Sequence, residues 1–186
     1  MDIAVLRRTF TIDEFHRMAE AGVFREDDRL ELLDGEIVQM TAIGSRHAGC
    51  VKRLNALLGR HVQESAIVGV QDPVVLAGDT ELYPDVVLLR PRPDFYSQSH
   101  PRPADVLLVI EVADTTLPYD RGVKLPRYSR AGIPEVWVVD LQDRVVDVYR
   151  RPASEKYLDH ERLEPGQAVT IPGPLDQQLA VSDVLP

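Results

Sequence analysis

The chain has 186 residues, 44% of them hydrophobic and 27% charged, which supplies one sizeable core and predicts a single soluble domain spanning residues 1–186. A formal net charge of −9 excludes a broadly basic surface of the kind that holds duplexes by counterion displacement, so any contact with phosphate must be local. No apolar run reaches the roughly eighteen residues needed to cross a bilayer, which argues against a membrane partner.

The opening MDIAVLRRTFTIDEF lacks a signal-peptide layout, because its short apolar stretch precedes the arginines and no small-residue cleavage site follows. Together with Cys50 as the one cysteine, which rules out an internal disulfide and a thiolate zinc cluster, this predicts a cytoplasmic protein. Thr11, Ile12, Asp13 and Glu14 form a capping box, predicting a short helix over residues 11–21 that stops at Gly22. In LELLDGEIVQM, residues 30–40, the Asp34-Gly35 pair between apolar runs predicts a two-residue hairpin. Apolar positions from Cys50 to Val62 recur every three or four residues, so residues 45–63 read as the longest amphipathic helix.

Strand-like pieces follow at residues 66–70, 73–76 and 85–89, and then a proline-rich surface loop at 91–103. VLLVIEV (106–112) and EVWVVD (135–140) flank a helix-length segment at 119–131, punctuated by Gly132 and Pro134. That pattern is a βαβ unit with parallel, central strands and a right-handed crossover. The tail from residue 145 alternates in short stretches, 145–150, 156–162 and 168–171, read as antiparallel strands at the sheet edge.

Glu111 is the most informative residue, since a carboxylate inside a buried strand is costly unless something compensates it. Either the strand ends near Ile110 and Glu111 meets solvent or an arginine, or a divalent cation gathers it with other carboxylates. Asp85 follows Pro84 at the mouth of VVLL, on a strand expected to neighbour that of Glu111; alone, Pro-Asp also simply starts strands. Asp120, Lys124 and Tyr128 share a helix face, and Lys124 could reach both carboxylates or merely pair with Asp120 at the surface. Glu31 on the hairpin and His47 near the start of the long helix are weaker candidates, and a histidine there is commonly a cap neighbour. Basic clusters at Lys52, Arg53 and Arg60, at Arg90, Arg92 and Arg102, and at Arg121, Lys124, Arg127 and Arg130 are solvated faces or local phosphate contacts.

Taken in order, LELLDGE, His47, YPDVVLL, LLVIEVADTT, YDRGVKLPRYSRAGIPEVWVVDL and VDVYR resemble the Uma-two family, a branch of the PD-(D/E)xK phosphodiesterase superfamily. The resemblance covers nearly the whole chain. It implies an α/β, restriction-endonuclease-like αβββαβ core with an N-terminal helix and hairpin and C-terminal edge strands. It also implies a Mg²⁺ or Mn²⁺ site held by Asp85, Glu111 and the Val112 carbonyl, with nucleic acid, DNA first, as substrate. Ala113 occupies the position where the superfamily carries its lysine, and Lys124 resembles a replacement that has migrated to the helix; Glu31 and His47 match recurrent family positions. A homodimer through edge strands is the commonest arrangement for a soluble oligomer. The acidic balance and the alanine at 113 leave open a nuclease fold kept as a binding or assembly module, and a small-phosphoester hydrolase is a further alternative.

Overall fold

Thr11 Oγ1 accepts the Glu14 amide at 3.2 Å while the Glu14 carboxylate accepts the Thr11 amide at 3.0 Å, and this reciprocal cap starts helix α1 (Ile12–Glu20). The computed structural model describes residues 7–173 and 177–186; residues 1–6, the first part of the stretch read for a targeting signal, lie outside them. Strands β1 (Leu30–Leu33) and β2 (Glu36–Gln39) form the expected hairpin. Its turn has positive φ at both central residues, 47° at Asp34 and 79° at Gly35, as a two-residue turn matched to strand twist requires.

Gly35 is also a point of close approach. A Cβ there would lie 2.6 Å from Thr9 Cβ and 3.1 Å from the Phe10 nitrogen. Gly35→Ala is expected to cost about 1–3 kcal/mol, combining left-handed strain with overpacking. A urea melt checks this; an unchanged midpoint would mean the Thr9–Phe10 segment moves aside freely.

Helix α2 (Ser45–Val62) buries Cys50, Val51, Leu54, Leu58 and Val62. Then come β3 (Ile67–Val70), β4 (Val74–Ala77), β5 (Thr80–Leu82) and β6 (Val86–Leu89). β5 joins β1 and β4 to complete a small sheet in the order β2-β1-β5-β4. After a 3-10 turn at Pro103–Asp105, β7 (Val106–Ala113) leads through the crossover to β8 (Glu135–Asp140), and the two strands pair in parallel from Val109 with Val136 to Ala113 with Asp140. They lie at the centre of a six-stranded sheet ordered β10-β9-β8-β7-β6-β3, completed by β9 (Val145–Ala153) and β10 (Lys156–Leu163).

Two expectations need correction. The crossover is not one α-helix: α3 (Leu117–Tyr119) passes through a π-helical turn, Asp120–Lys124, into α4 (Leu125–Ala131). Pro126 gives the reason, since it cannot bond to the Gly122 carbonyl four residues back and its ring would strike it; a widened turn relieves both. Residues 168–171 do not extend the sheet edge either. β11 (Ala168–Thr170) pairs with β12 (Gln178–Ala180) in a separate ladder, followed by α5 (Val181–Val184) against α2.

The large sheet is covered on both faces, as a parallel pair at its centre requires. Val86, Leu88, Leu108, Ile110, Trp137 and Val139 pack with α2. Val87, Val109, Ala113, Val136 and Val138 pack on the other face with Tyr128 of α4. Glu111, alternating with Val109 and Ala113, is the carboxylate on that second face.

Candidate active site

Strand register determines how the acidic groups meet. Val86 stands opposite Ile110 and Val87 opposite Val109, so one further step of the same register puts Asp85 opposite Glu111. Asp85 alternates with Val86 as Glu111 does with Ile110, and both therefore lie on the α4 face. The Val112 amide donates to Asp85 Oδ2 at 2.9 Å. Because the N–H and C=O of one strand residue point to the same edge, the Val112 carbonyl is turned towards that side too. Gln71 extends the β3–β6 pairing, its amide bonding the Asp85 carbonyl at 3.2 Å and its Nε2 donating to Asp85 Oδ1 at 3.2 Å.

Lys124 reaches Glu111, as its helix position suggested, but it does not pair with Asp85. Its ammonium lies 2.9 Å from Glu31 Oε1 and 3.2 Å from Glu111 Oε1, with both carboxylates buried. The surface-pair alternative fails as well, since Asp120 and Lys124 are both buried. Asp85 takes His47 instead, with Nε2 2.9 Å from Oδ2. An ionised carboxylate only accepts, so Nε2 carries the proton, and the buried Nδ1 has no partner among the described residues. His47 is thus a hydrogen-bond partner of Asp85, near the start of α2.

Three tyrosines complete the arrangement. The Tyr128 hydroxyl donates to Glu111 Oε1 at 2.5 Å, the Tyr83 amide to Glu31 Oε1 at 2.9 Å, and the Tyr119 hydroxyl to Glu31 Oε2 at 3.5 Å. Tyr128 was visible in sequence on the Lys124 face, but nothing local identified its partner. Glu31, His47, Asp85, Glu111, Asp120 and Lys124 all line one cavity of about 490 Å³, with Arg29 and Gly44 also in its wall.

The electrostatics of this cavity are unbalanced. Five carboxyl groups, Glu31, Asp85, Glu111, Asp114 and Asp120, share one ammonium, one guanidinium and one imidazole. Burial pushes Glu111 well above the usual carboxylate range, against the pull of Lys124, and pushes Asp120 up to about 6 against the Thr116 hydroxyl bond. At Lys124 burial opposes the charge, yet Glu111 and Glu31 outweigh it and hold the ammonium above its ordinary value. Burial likewise opposes the Asp85 charge, but His47 and the Val112 amide keep that carboxyl below its ordinary value. A surplus of buried negative charge on oxygen donors fits a hard divalent cation, which would reverse the upward shifts.

The raised Asp120 carboxyl gives a pH test. Its contribution to stability is complete below pH about 4 and disappears as pH rises through about 6. Asp120→Asn keeps an acceptor for the Thr116 hydroxyl and never ionises. In chelator at pH 7.5 it is expected to be about 2–3 kcal/mol more stable than wild type, with the difference vanishing near pH 4. Urea melts across that range measure it, and a pH-independent difference would contradict the assignment.

The family described as Uma2, putative restriction endonuclease, matches residues 12–182. The chain belongs to the Uma2 family. Among solved structures, this Uma2 protein is similar to one from Anabaena variabilis ATCC 29413, described as a putative nuclease belonging to DUF820. The two share 19% identity with a TM-score of 0.68, over 94% of this chain and 97% of that one, a likeness that bears out the nuclease-type fold. A looser likeness, TM-score 0.42 at 15% identity, joins 78% of this chain to 16% of the type IIG restriction endonuclease BpuSI. No curated protein matches the chain. Family and fold together place it among nuclease-like proteins.

Proposed function

We propose that this Uma2 protein hydrolyses phosphodiester bonds in nucleic acid, DNA first, with Mg²⁺ or Mn²⁺ at the Asp85–Glu111 centre. The observation that carries this reading is the pairing itself: two acidic residues opposite each other on one sheet face, with a buried ammonium 3.2 Å from one of them. Asp85, Glu111 and the Val112 carbonyl would hold the ion, all of them oxygen donors suited to a hard cation. When bound, such an ion polarises the scissile phosphate and lowers the pKa of a bound water.

The other side chains have separate tasks. Lys124 orients the attacking water or stabilises the charge that develops on phosphorus-bound oxygens. Glu31 holds that ammonium in place and His47 fixes Asp85. Ala113 is a core position, 1% exposed and packed beside Tyr128 and Val138, so the strand has no room there for a lysine and the ammonium comes from the helix. Arg29, in the cavity wall with Gly44 at the start of α2, gives a positive group that suits a phosphate.

The test incubates the purified chain with end-labelled duplex DNA, single-stranded DNA and RNA, with Mg²⁺, with Mn²⁺ and with EDTA. Cleavage with either ion and none in EDTA is expected; no cleavage of any polymer by folded, ion-loaded protein would refute the proposal. One observation favours an assembly module without turnover. Arg121 is paired with Asp147, Arg127 with Asp34 and Arg130 with Glu155, so the third basic cluster is neutralised internally and offers little to a polyanion. That reading predicts neither duplex retention in a gel shift nor product.

A further inference from the structure

We propose that His16, Glu81 and His100 form a second metal site, for Zn²⁺ or a similar borderline transition ion, that pins α1 and the proline-rich loop to the small sheet. One ligand atom from each of the three residues lies within 4.8 Å of the others. His16 Nε2 is 2.8 Å from Glu81 Oε2, and the two imidazole rings meet edge-on with centroids 5.6 Å apart.

Backbone bonds bring the three together from separate parts of the chain. Glu81 stands opposite Val75 in the β4–β5 pairing, and the Val75 amide donates to the Pro101 carbonyl at 3.0 Å, which seats His100 beside the carboxylate. The Ile12 amide donates to the Gly78 carbonyl at 3.1 Å in the β4–β5 turn, so α1 starts there and carries His16 one turn further on. Glu81 also stands opposite Leu32, which alternates with Glu31. The second site therefore lies on the face of the small sheet turned away from the candidate active centre.

The need for a cation is physical. Glu81 is wholly buried, and its oxygens meet only the neutral Tyr83 hydroxyl at 3.2 Å and His16; among the described residues no lysine or arginine pairs with it. A carboxylate in that setting is costly unless a positive charge joins it. Two imidazoles and one carboxylate are a ligand set for zinc, and an N/O mixture separates this site from the all-oxygen set at Asp85 and Glu111. Ligand atoms about 2.0–2.1 Å from a tetrahedral ion lie roughly 3.3 Å apart, which side-chain rotation alone can reach from the present spacing. His100 is exposed and His16 partly so, leaving an entry path and a fourth position for water.

The site also supports the active centre at one remove. The Tyr83 hydroxyl holds Glu81 while its amide holds Glu31, so one residue joins the two faces of the sheet.

The experiment titrates ZnCl₂, and separately MgCl₂, into the chelator-stripped full chain by calorimetry, comparing wild type, His100→Ala, His16→Gln and the double variant Asp85→Asn, Glu111→Gln. Expected is one zinc equivalent in wild type, undisturbed by Mg²⁺ and retained in the double variant. In His100→Ala, an exposed position that leaves the fold intact by circular dichroism, affinity falls more than about tenfold. Co²⁺ in place of zinc should give visible d–d bands that both histidine variants lose. No zinc heat in wild type, wild-type affinity in both histidine variants, or loss of zinc in a folded double variant would each overturn the proposal. Nuclease turnover enters none of these readouts, so failure of this site and failure of the phosphodiesterase reading are separable.

Discussion

Glu111→Gln is expected to lower ion-dependent cleavage by roughly a thousandfold, about 4 kcal/mol at the transition state, with the fold intact. An amide keeps the shape of the carboxyl and still accepts from Tyr128, which donates at 2.5 Å. It removes one of the negative charges that hold the ion. Burial already favours the uncharged form of Glu111, so the variant should melt at or above the wild-type urea midpoint when no divalent ion is present. Asp85→Asn should lose a similar factor and also disturb His47 and the Val112 amide, both bonded to Asp85 Oδ2 at 2.9 Å. Single-turnover cleavage of labelled duplex at saturating Mn²⁺ measures both. Turnover within about tenfold of wild type in these variants would show that the two carboxylates do not hold the ion.

Lys124→Met should be among the most destabilising single changes available, about 3–5 kcal/mol at neutral pH in chelator. The ammonium is buried between Glu31 and Glu111, and its removal leaves two enclosed carboxylates without a cation. Because Glu111 already favours protonation, much of the loss should be recovered near pH 5, where that group can bind its proton inside the fold. Millimolar Mg²⁺ should also restore part of it by supplying charge to the same cavity. Urea melts at two pH values, with and without the ion, measure the effect. A loss under about 1 kcal/mol would mean that solvent, not Lys124, compensates these acids.

Local signals gave the fold away where a few adjacent residues decide a conformation. The capping box at Thr11, the Asp34-Gly35 turn, the α2 periodicity and the parallel strand pair around Glu111 all appear as expected. β5 escaped notice because three residues between Gly78-Asp79 and Pro84 show no usable alternation. Pro126 stood in plain view inside the crossover, yet helical periodicity alone could not say that the chain would widen by one residue rather than stop.

At the candidate site, Asp85 and Glu111 were readable because a carboxylate interrupting an apolar strand is conspicuous. The partners were not. Whether Lys124 meets Asp85 or Glu31 depends on where the hairpin docks, which follows from β1 pairing with β5, a strand fifty residues away in sequence that carried no signal. His47 is separated from Asp85 by 38 residues, and the carboxylates that neutralise Arg121, Arg127 and Arg130 come from β9 and two turns. Contacts of that range leave no periodic trace.

The widened turn between Asp120 and Lys124 has one more implication. A bulge of this kind is a single inserted residue, and it runs from Asp120 to Lys124, so it sets the phase between the acid at its start and the ammonium at its end. Loss of exposed Gly122 would rewind the segment and swing Asp120 by about 100° around the axis, while Lys124 and Tyr128 kept their phase with α4. Indels at this spot can therefore retune the acidity of the chamber without dislodging its cation, a separation that a lysine borne on the strand beside Glu111 could not provide.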